Sequence, residues 1–239
     1  NPSLKKIAVF GHFKKVRVDD GEKAGDTIIV RLQNKWFWLI PISAEKVSVG
    51  CVLDQEEFAR WKKPASEIFS ELWKSTPAMR ERMEKAEGEE TIQVTSDFSY
   101  YNRSLSGERL LRVGDAAGFM DPIFSAGVFL AMFSGRLAAE TILQSQADLK
   151  AKSRLFALYE KRIFKAMKFY GEMVEQFYTT PFMEVFLEPR EKFYLASAVN
   201  AALAGEIEGR WGLHWRMRLF FAIVKLQRRF PLLPRISFA

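Results

Sequence analysis

The chain has 239 residues, 48% hydrophobic and 27% charged, enough apolar material for one large domain or two small ones. A single cysteine, Cys51, excludes an intrachain disulfide framework, and with only two histidines there is no zinc-type ligand spacing, so no metal site is expected. The net charge of +7 resides entirely in residues 209–239, which carry seven Lys/Arg and no acid, and this uneven placement argues against a general nucleic-acid-binding surface.

The chain opens on Asn1 in NPSLKKIAVFGHF, which reads as the approach to a strand. Residues 1–15 lack the apolar run of a secretory signal, and no segment reaches the roughly 20 consecutive apolar residues of a membrane span. The expectation is the C-terminal portion of a longer cytoplasmic protein. TIIVRL (27–32), WFWLIPI (36–42) and VSVGCVL (47–53) are β-branched and aromatic runs separated by QNK and SAEK, which predicts two hairpins of an antiparallel sheet. Phe58, Trp61, Ile68, Phe69 and Leu72 then recur at helical spacing, with Pro64 and Pro77 dividing the stretch into two or three helices. TIQVTSDFSYYN returns to strand, and RLLRVGD (109–115) reads as a short strand buried on both faces. From Gly127 the pattern is helical: GVFLAMFSGRLAAETILQ, SRLFALYEKRIFKAMKFYGEMVEQFY, FYLASAVNAALAGEI and a tail ended by Pro231 and Pro234.

The stretch VGDAAGFMDPIFSAGVFLA concentrates the chemistry. Gly114 permits close backbone approach, and Asp115 stands where α/β folds place ligand contacts, its carboxylate able to accept hydrogen bonds from hydroxyls. Pro122 fixes the chain before a helix, and Ser125, Ala126 and Gly127 present backbone N–H groups at that helix's N-terminus, where an anion is favoured. Gly127, Ala131, Gly135 and Ala139 recur every fourth residue, predicting a smooth face for close packing. On these grounds alone the alternative is a turn capped by Asp115 and small residues that only pack helix on sheet.

GDAAGFMDPIFSAGVFLAMFSGRLAAETI resembles the second flavin-binding motif of FAD-dependent monooxygenases of the hydroxybenzoate-hydroxylase type, and is most similar to their flavin-dependent halogenase branch. The resemblance implies that Asp115 binds the ribitol of FAD, that Gly114 and Pro122 border the cofactor, that the N–H groups of Gly127 and Val128 face the flavin ring, and that Ser125, Ala126 and Gly127 contact a halide. WFWLIP also resembles the W-x-W-x-I-P pattern of flavin halogenases; it implies that Trp36, Trp38, Ile40 and Pro41 form a partition between flavin and substrate. Related geranylgeranyl reductases carry a different strand there. Tryptophan-specific halogenases have Glu before the Ser of S-x-G, where this chain has Phe124, so the resemblance points to phenolic or pyrrolic substrates, free or tethered to a carrier protein. No G-x-G-x-x-G occurs among the 14 glycines, and the catalytic lysine of the family cannot be assigned to any lysine here.

The implied fold is α+β, part of an FAD/NAD(P)-binding α/β fold: an antiparallel-rich substrate-side sheet followed by a helical C-terminal region. Three parts are expected, 1–105 (sheet with helices), 106–145 (FAD-binding strand, turn and helix) and 146–239 (helices with a basic tail). The implied activity is oxidation by reduced FAD, oxygen and halide of an aromatic or electron-rich substrate, with a flavin reductase as partner. A monooxygenase, a reductase of lipid-like substrates and a non-catalytic binding module are the alternatives. His12 and His214 read as ordinary structural histidines, and the tail 209–239 as a helix that packs on the domain or meets a membrane surface or an acidic partner.

Overall fold

Period-two alternation in the first hundred residues gives each strand two chemically different faces, and one of them collects the core. The computed structural model describes residues 4–88, 91–188, 192–208 and 211–237, and the chain divides into two compact units, with the boundary between Phe98 and Ser99. The boundary thus precedes residue 105, and 106–145 falls into the same unit as the helical region after it.

In the first unit, β1 (Lys6–Lys14), β2 (Ile28–Arg31), β3 (Trp36–Pro41), β4 (Val47–Asp54), β5 (Glu87–Gly88) and β6 (Gln93–Ser96) form one antiparallel sheet of order β2-β3-β4-β1-β5, with β6 also on β1. The two hairpins predicted over 27–53 are present. Asn34 turns the first of them in the left-handed region, at φ 61°, a conformation Asn tolerates. Val9, Phe37, Leu39, Val49, Cys51 and Leu53 face Ile68, Phe69, Leu72, Met79 and Met83 from α2 (Ala65–Ser75) and α3 (Pro77–Met83), which follow α1 (Gln55–Trp61). Burial pushes the Cys51 thiol far up, which keeps it an inert apolar core group. At the rim, Lys6 is 5% exposed; its Nζ donates to the Asn34 carbonyl at 3.0 Å and pairs with Asp54 at 2.8 Å.

The second unit begins with β7 (Tyr100–Tyr101), β8 (Ser106–Gly107), β9 (Leu110–Leu111) and β10 (Gly118–Phe119), each two residues long. They are followed by α4 (Ala126–Ala147), α5 (Lys152–Phe177), α6 (Thr180–Phe186), α7 (Leu195–Leu203) and α8 (Trp211–Arg229). The core lies between α4 and α5: Leu130, Phe133, Leu137 and Ala138 meet Tyr159, Ile163, Ala166, Met167 and Tyr170. By length and composition α4 could cross a bilayer, with a mean hydropathy of 1.4, which corrects the expectation that no such segment exists. It is the core helix of this unit, and Arg136 pairs with Glu140 at 2.8 Å on its outer side.

Two expectations fail here. RLLRVGD is not a doubly buried strand: only Leu110–Leu111 is extended, paired with Ser106–Gly107, while Leu110 is 46% and Val113 38% exposed. An apolar run becomes a central strand only with partners on both sides, and among the described residues this one has a two-residue partner on one side. The every-fourth small residues of α4 do not form its main buried stripe, although Gly127 and Ala131 give close approach to Phe119 and Gly114. Ala131 and Ala139 are exposed, and the buried stripe runs through Ala126, Leu130, Phe133, Ser134, Leu137 and Ala138, where the larger side chains bury more apolar area.

Candidate functional site

The segment around Asp115 is a chain of short turns, each held by a named side chain. Gly114 takes φ +53°, and a Cβ there would stand 3.2 Å from that of Ala131, so the smallest residues let turn and helix meet. Its N–H donates to Ser134 Oγ at 2.8 Å, and that hydroxyl donates to the Leu130 carbonyl at 2.6 Å. Gly114–Ala116 is a 3-10 turn, so Asp115 lies in a turn and not at a strand end. Tyr100 Oη donates to the Asp115 carbonyl at 2.8 Å and Asn102 Nδ2 to that of Ala116 at 2.7 Å. The backbone is therefore fixed from β7 while the Asp115 side chain stays exposed.

The preceding hairpin is pinned from α5. Glu160 Oε1 accepts from the N–H groups of Leu105 at 2.6 Å and Ser106 at 2.8 Å and from Ser104 Oγ at 3.0 Å. Burial pushes this carboxyl up, but those hydrogen bonds outweigh it and hold Glu160 below its ordinary value. Tyr159 Oη adds a bond to the Arg112 carbonyl at 2.5 Å.

The second half of the site is the entry to α4. Asp121, 5% exposed, accepts the Ile123 N–H at 3.0 Å through Oδ1 and the Tyr178 hydroxyl at 2.8 Å through Oδ2. It shapes the 3-10 turn Pro122–Phe124, and Ser125 follows at φ 51°. Sequence reasoning gave Asp121 no role; an Asp-Pro pair opening a turn was the available signal. Pro122 and Ser125 are exposed, Ala126 is buried, Gly127 is half-buried beside the Phe119 ring, and Val128 is 72% exposed. No side chain caps α4, so the N–H groups at the start of a 22-residue helix remain available to a ligand. Phe124 points the other way, with ring centroids 5.6 Å from Phe177 and 6.4 Å from both Phe182 and Phe186.

Gly114, Asp115, Pro122, Ser125, Ala126, Gly127 and Val128 thus lie in one unit, on turns braced by β7, α4 and α5. Trp36, Trp38, Ile40 and Pro41 lie on β3 in the other unit. Alternation puts Trp36, Trp38 and Ile40 on the sheet face opposite the helices, with the indole centroids 5.8 Å apart at 52°. Phe10 sits 5.8 Å from Trp38, whose Nε1–H donates to Ser48 Oγ at 3.1 Å. The edge of the indole (Cζ2 and Cη2) fills the space beside Gly50 that a Cβ would occupy. Trp36 is buried, Trp38 half-buried and Ile40 39% exposed. His12 is half-buried and opposite Ser48 in the β1–β4 register; His214 lines a separate cavity with Arg162 and Lys165.

Comparison with known proteins shows what the chain as a whole is similar to. The family model described as tryptophan halogenase matches residues 23–199. The chain is 31% identical over 160 residues to the tryptophan 2-halogenase of Chondromyces crocatus, covering 64% of this chain and 31% of that protein. It is 37% identical over 141 residues to the 1H-pyrrole-2-carbonyl-[peptidyl-carrier protein] brominase of Pseudoalteromonas luteoviolacea (strain 2ta16), covering 58% of this chain and 35% of that one. Among solved structures, the flavin-dependent brominase Bmp2 superposes with a TM-score of 0.76 at 27% identity, over 95% of this chain and 57% of the brominase. The chain therefore spans about a third of these curated relatives and little more than half of the solved one.

Proposed function

This chain belongs to the tryptophan halogenase family, and from that premise we propose that it forms the flavin-ring and halide side of an FAD-dependent halogenase acting on an aromatic or electron-rich substrate. The observation that carries the proposal is the pairing, in one unit, of an exposed Asp115 carboxylate on a braced turn with the uncapped N-terminus of α4. The two suit opposite ends of a flavin: a carboxylate accepts hydrogen bonds from ribitol hydroxyls, and a helix N-terminus stabilises negative charge on a reduced ring. Asp115 would hold the ribitol, with Gly114 giving it backbone access. Pro122 would border the ring, the N–H groups of Gly127 and Val128 would face it, and Ser125, Ala126 and Gly127 would hold the halide. Bound reduced FAD supplies, with oxygen, the oxidising power that turns halide into an electrophile. The chain's own contribution is to orient the flavin, concentrate the anion and keep bulk water away.

Trp36 and Trp38 are proposed as the partition that confines oxidation to halide. Their support is the rigidity of the pair, fixed by the Ser48 hydrogen bond and the space beside Gly50. An aromatic acyl group tethered to a carrier protein is the proposed substrate class, supported by Phe124 at the position before Ser125 and by the carrier-protein substrate in the name of the 37% identical brominase. A flavin reductase is the proposed electron source.

Titrating the full-length protein with FAD and following flavin fluorescence tests the grip. Asp115→Ala should weaken binding at least tenfold, the loss of one or two hydrogen bonds to a charged group. Unchanged affinity would remove Asp115 from the site. Halide-dependent appearance of halogenated product distinguishes this reading from a hydroxylating monooxygenase, which would give oxygenated product with no halide present.

A further inference from the structure

Three of the five cations of α8 share one face, while Arg216 and Arg228 lie off it. Trp211, Arg218, Ala222, Lys225 and Arg229 follow one another at i, i+7, i+11, i+14 and i+18, which puts them on a single face, and all five are exposed. Met217, Phe220, Val224 and Gln227 occupy the opposite, buried side. The exposed stripe is about 27 Å long at the helical rise. Trp211, 83% exposed, stands at one end, Phe230, 54% exposed, just beyond the other, and Leu226, 46% exposed, on its flank. Among the described residues no carboxylate pairs with Arg218, Lys225 or Arg229, whereas Arg235 is bound to Glu184 and Arg216 to the Phe193 carbonyl. Residues 1–208 are electrically balanced, with 29 Lys/Arg and 29 Asp/Glu between them, so this stripe is a local field and not part of a general excess.

From this stripe we infer that α8 docks the protein onto an anionic lipid bilayer, lying in the plane of the headgroups. Charge complementarity alone would suit any acidic surface. The apolar side chains choose between partners: an acidic protein meeting the cations would leave Trp211 and Phe230 in water, whereas a bilayer interface takes both indole and phenyl at headgroup depth. Lys and Arg stems lie along the acyl boundary with their charges among the phosphates. The surface shares no residue with the proposed flavin site, so its test stands apart from that reading.

The test is co-sedimentation of the full-length protein with vesicles of phosphatidylglycerol and phosphatidylcholine in equal parts, against pure phosphatidylcholine. Binding at low salt, at least tenfold weaker on the neutral vesicles and at high ionic strength, is the expected result, with Trp fluorescence shifting to the blue. Arg218→Glu, Lys225→Glu and Arg229→Glu together should lower partitioning at least tenfold, and Trp211→Ser severalfold. All four positions are exposed, and circular dichroism confirms that each variant remains folded. Absence of the wild-type protein from the anionic vesicle pellet at low salt overturns the inference, as does partitioning that the triple reversal leaves unchanged. Tight binding to an acidic protein with no vesicle binding overturns it in favour of a protein partner.

Discussion

Gly50 is the residue on which the tryptophan pair depends. It stands opposite Trp38 on β3 and Phe10 on β1, and its missing side chain is the space the indole occupies. Gly50→Ala forces either the indole or the β4 backbone to move, at a cost of about 1–3 kcal/mol in overpacking. Urea unfolding should show that loss, and the near-ultraviolet dichroism of Trp38 should change with it. Serine would do worse, while Ser48→Ala, which only removes a partner from Nε1–H, should cost about 1 kcal/mol. The pair of tryptophans was legible from WFWLIP because alternation assigns faces; the glycine beside them was not, since nothing in VSVGCVL says which cross-strand neighbour is large.

At the scale of elements, the long helices and the two hairpins followed from periodicity, and the failures share one cause. RLLRVGD has the composition of a central strand, but pairing is a property of neighbours. In this unit the run bends instead into a two-residue hairpin, secured by Glu160 from 55 residues away. The tail shows the same limit. Pro231 and Pro234 announced the end of α8, but its docking rests on Glu184 and Gln227, both fully buried and 43 residues apart. Glu184 accepts from Gln227 Nε2 at 2.7 Å, from Arg235 at 3.3 Å and from the Ile236 N–H at 3.1 Å, while Gln227 Oε1 receives the N–H groups of Leu232 and Leu233. Glu184→Ala strands those donors and should destabilise the protein by about 2–3 kcal/mol, with early loss of protection at 232–236 in hydrogen exchange. Glu184→Gln, which keeps the shape and part of the bonding, should recover about half.

For the whole molecule, acid should act in two separable steps. Burial, with Lys165 on α5 and Arg218 on α8 beside it, lowers the His214 pKa below its ordinary 6.5. The unfolded chain therefore takes up a proton first, and stability falls as pH drops from about 6.5 toward the lower folded value. Glu160 is likewise held below its ordinary 4.5, so its stabilisation is present above that pH and is lost as pH falls through its folded value. Unfolding free energies measured across pH 3–8 should show both declines, with His214→Gln abolishing the upper and Glu160→Gln the lower. A single transition unaffected by either substitution would refute this assignment. The Phe124 ring, seated among Phe177, Phe182 and Phe186 while Asp121 holds Tyr178, has a consequence for anyone recombining relatives of this chain. Residues 121–125 and 177–186 form one unit of inheritance. A chimaera whose crossover falls between them inherits a 121–125 turn cut for another aromatic nest, and the pieces exchange productively only when both travel together.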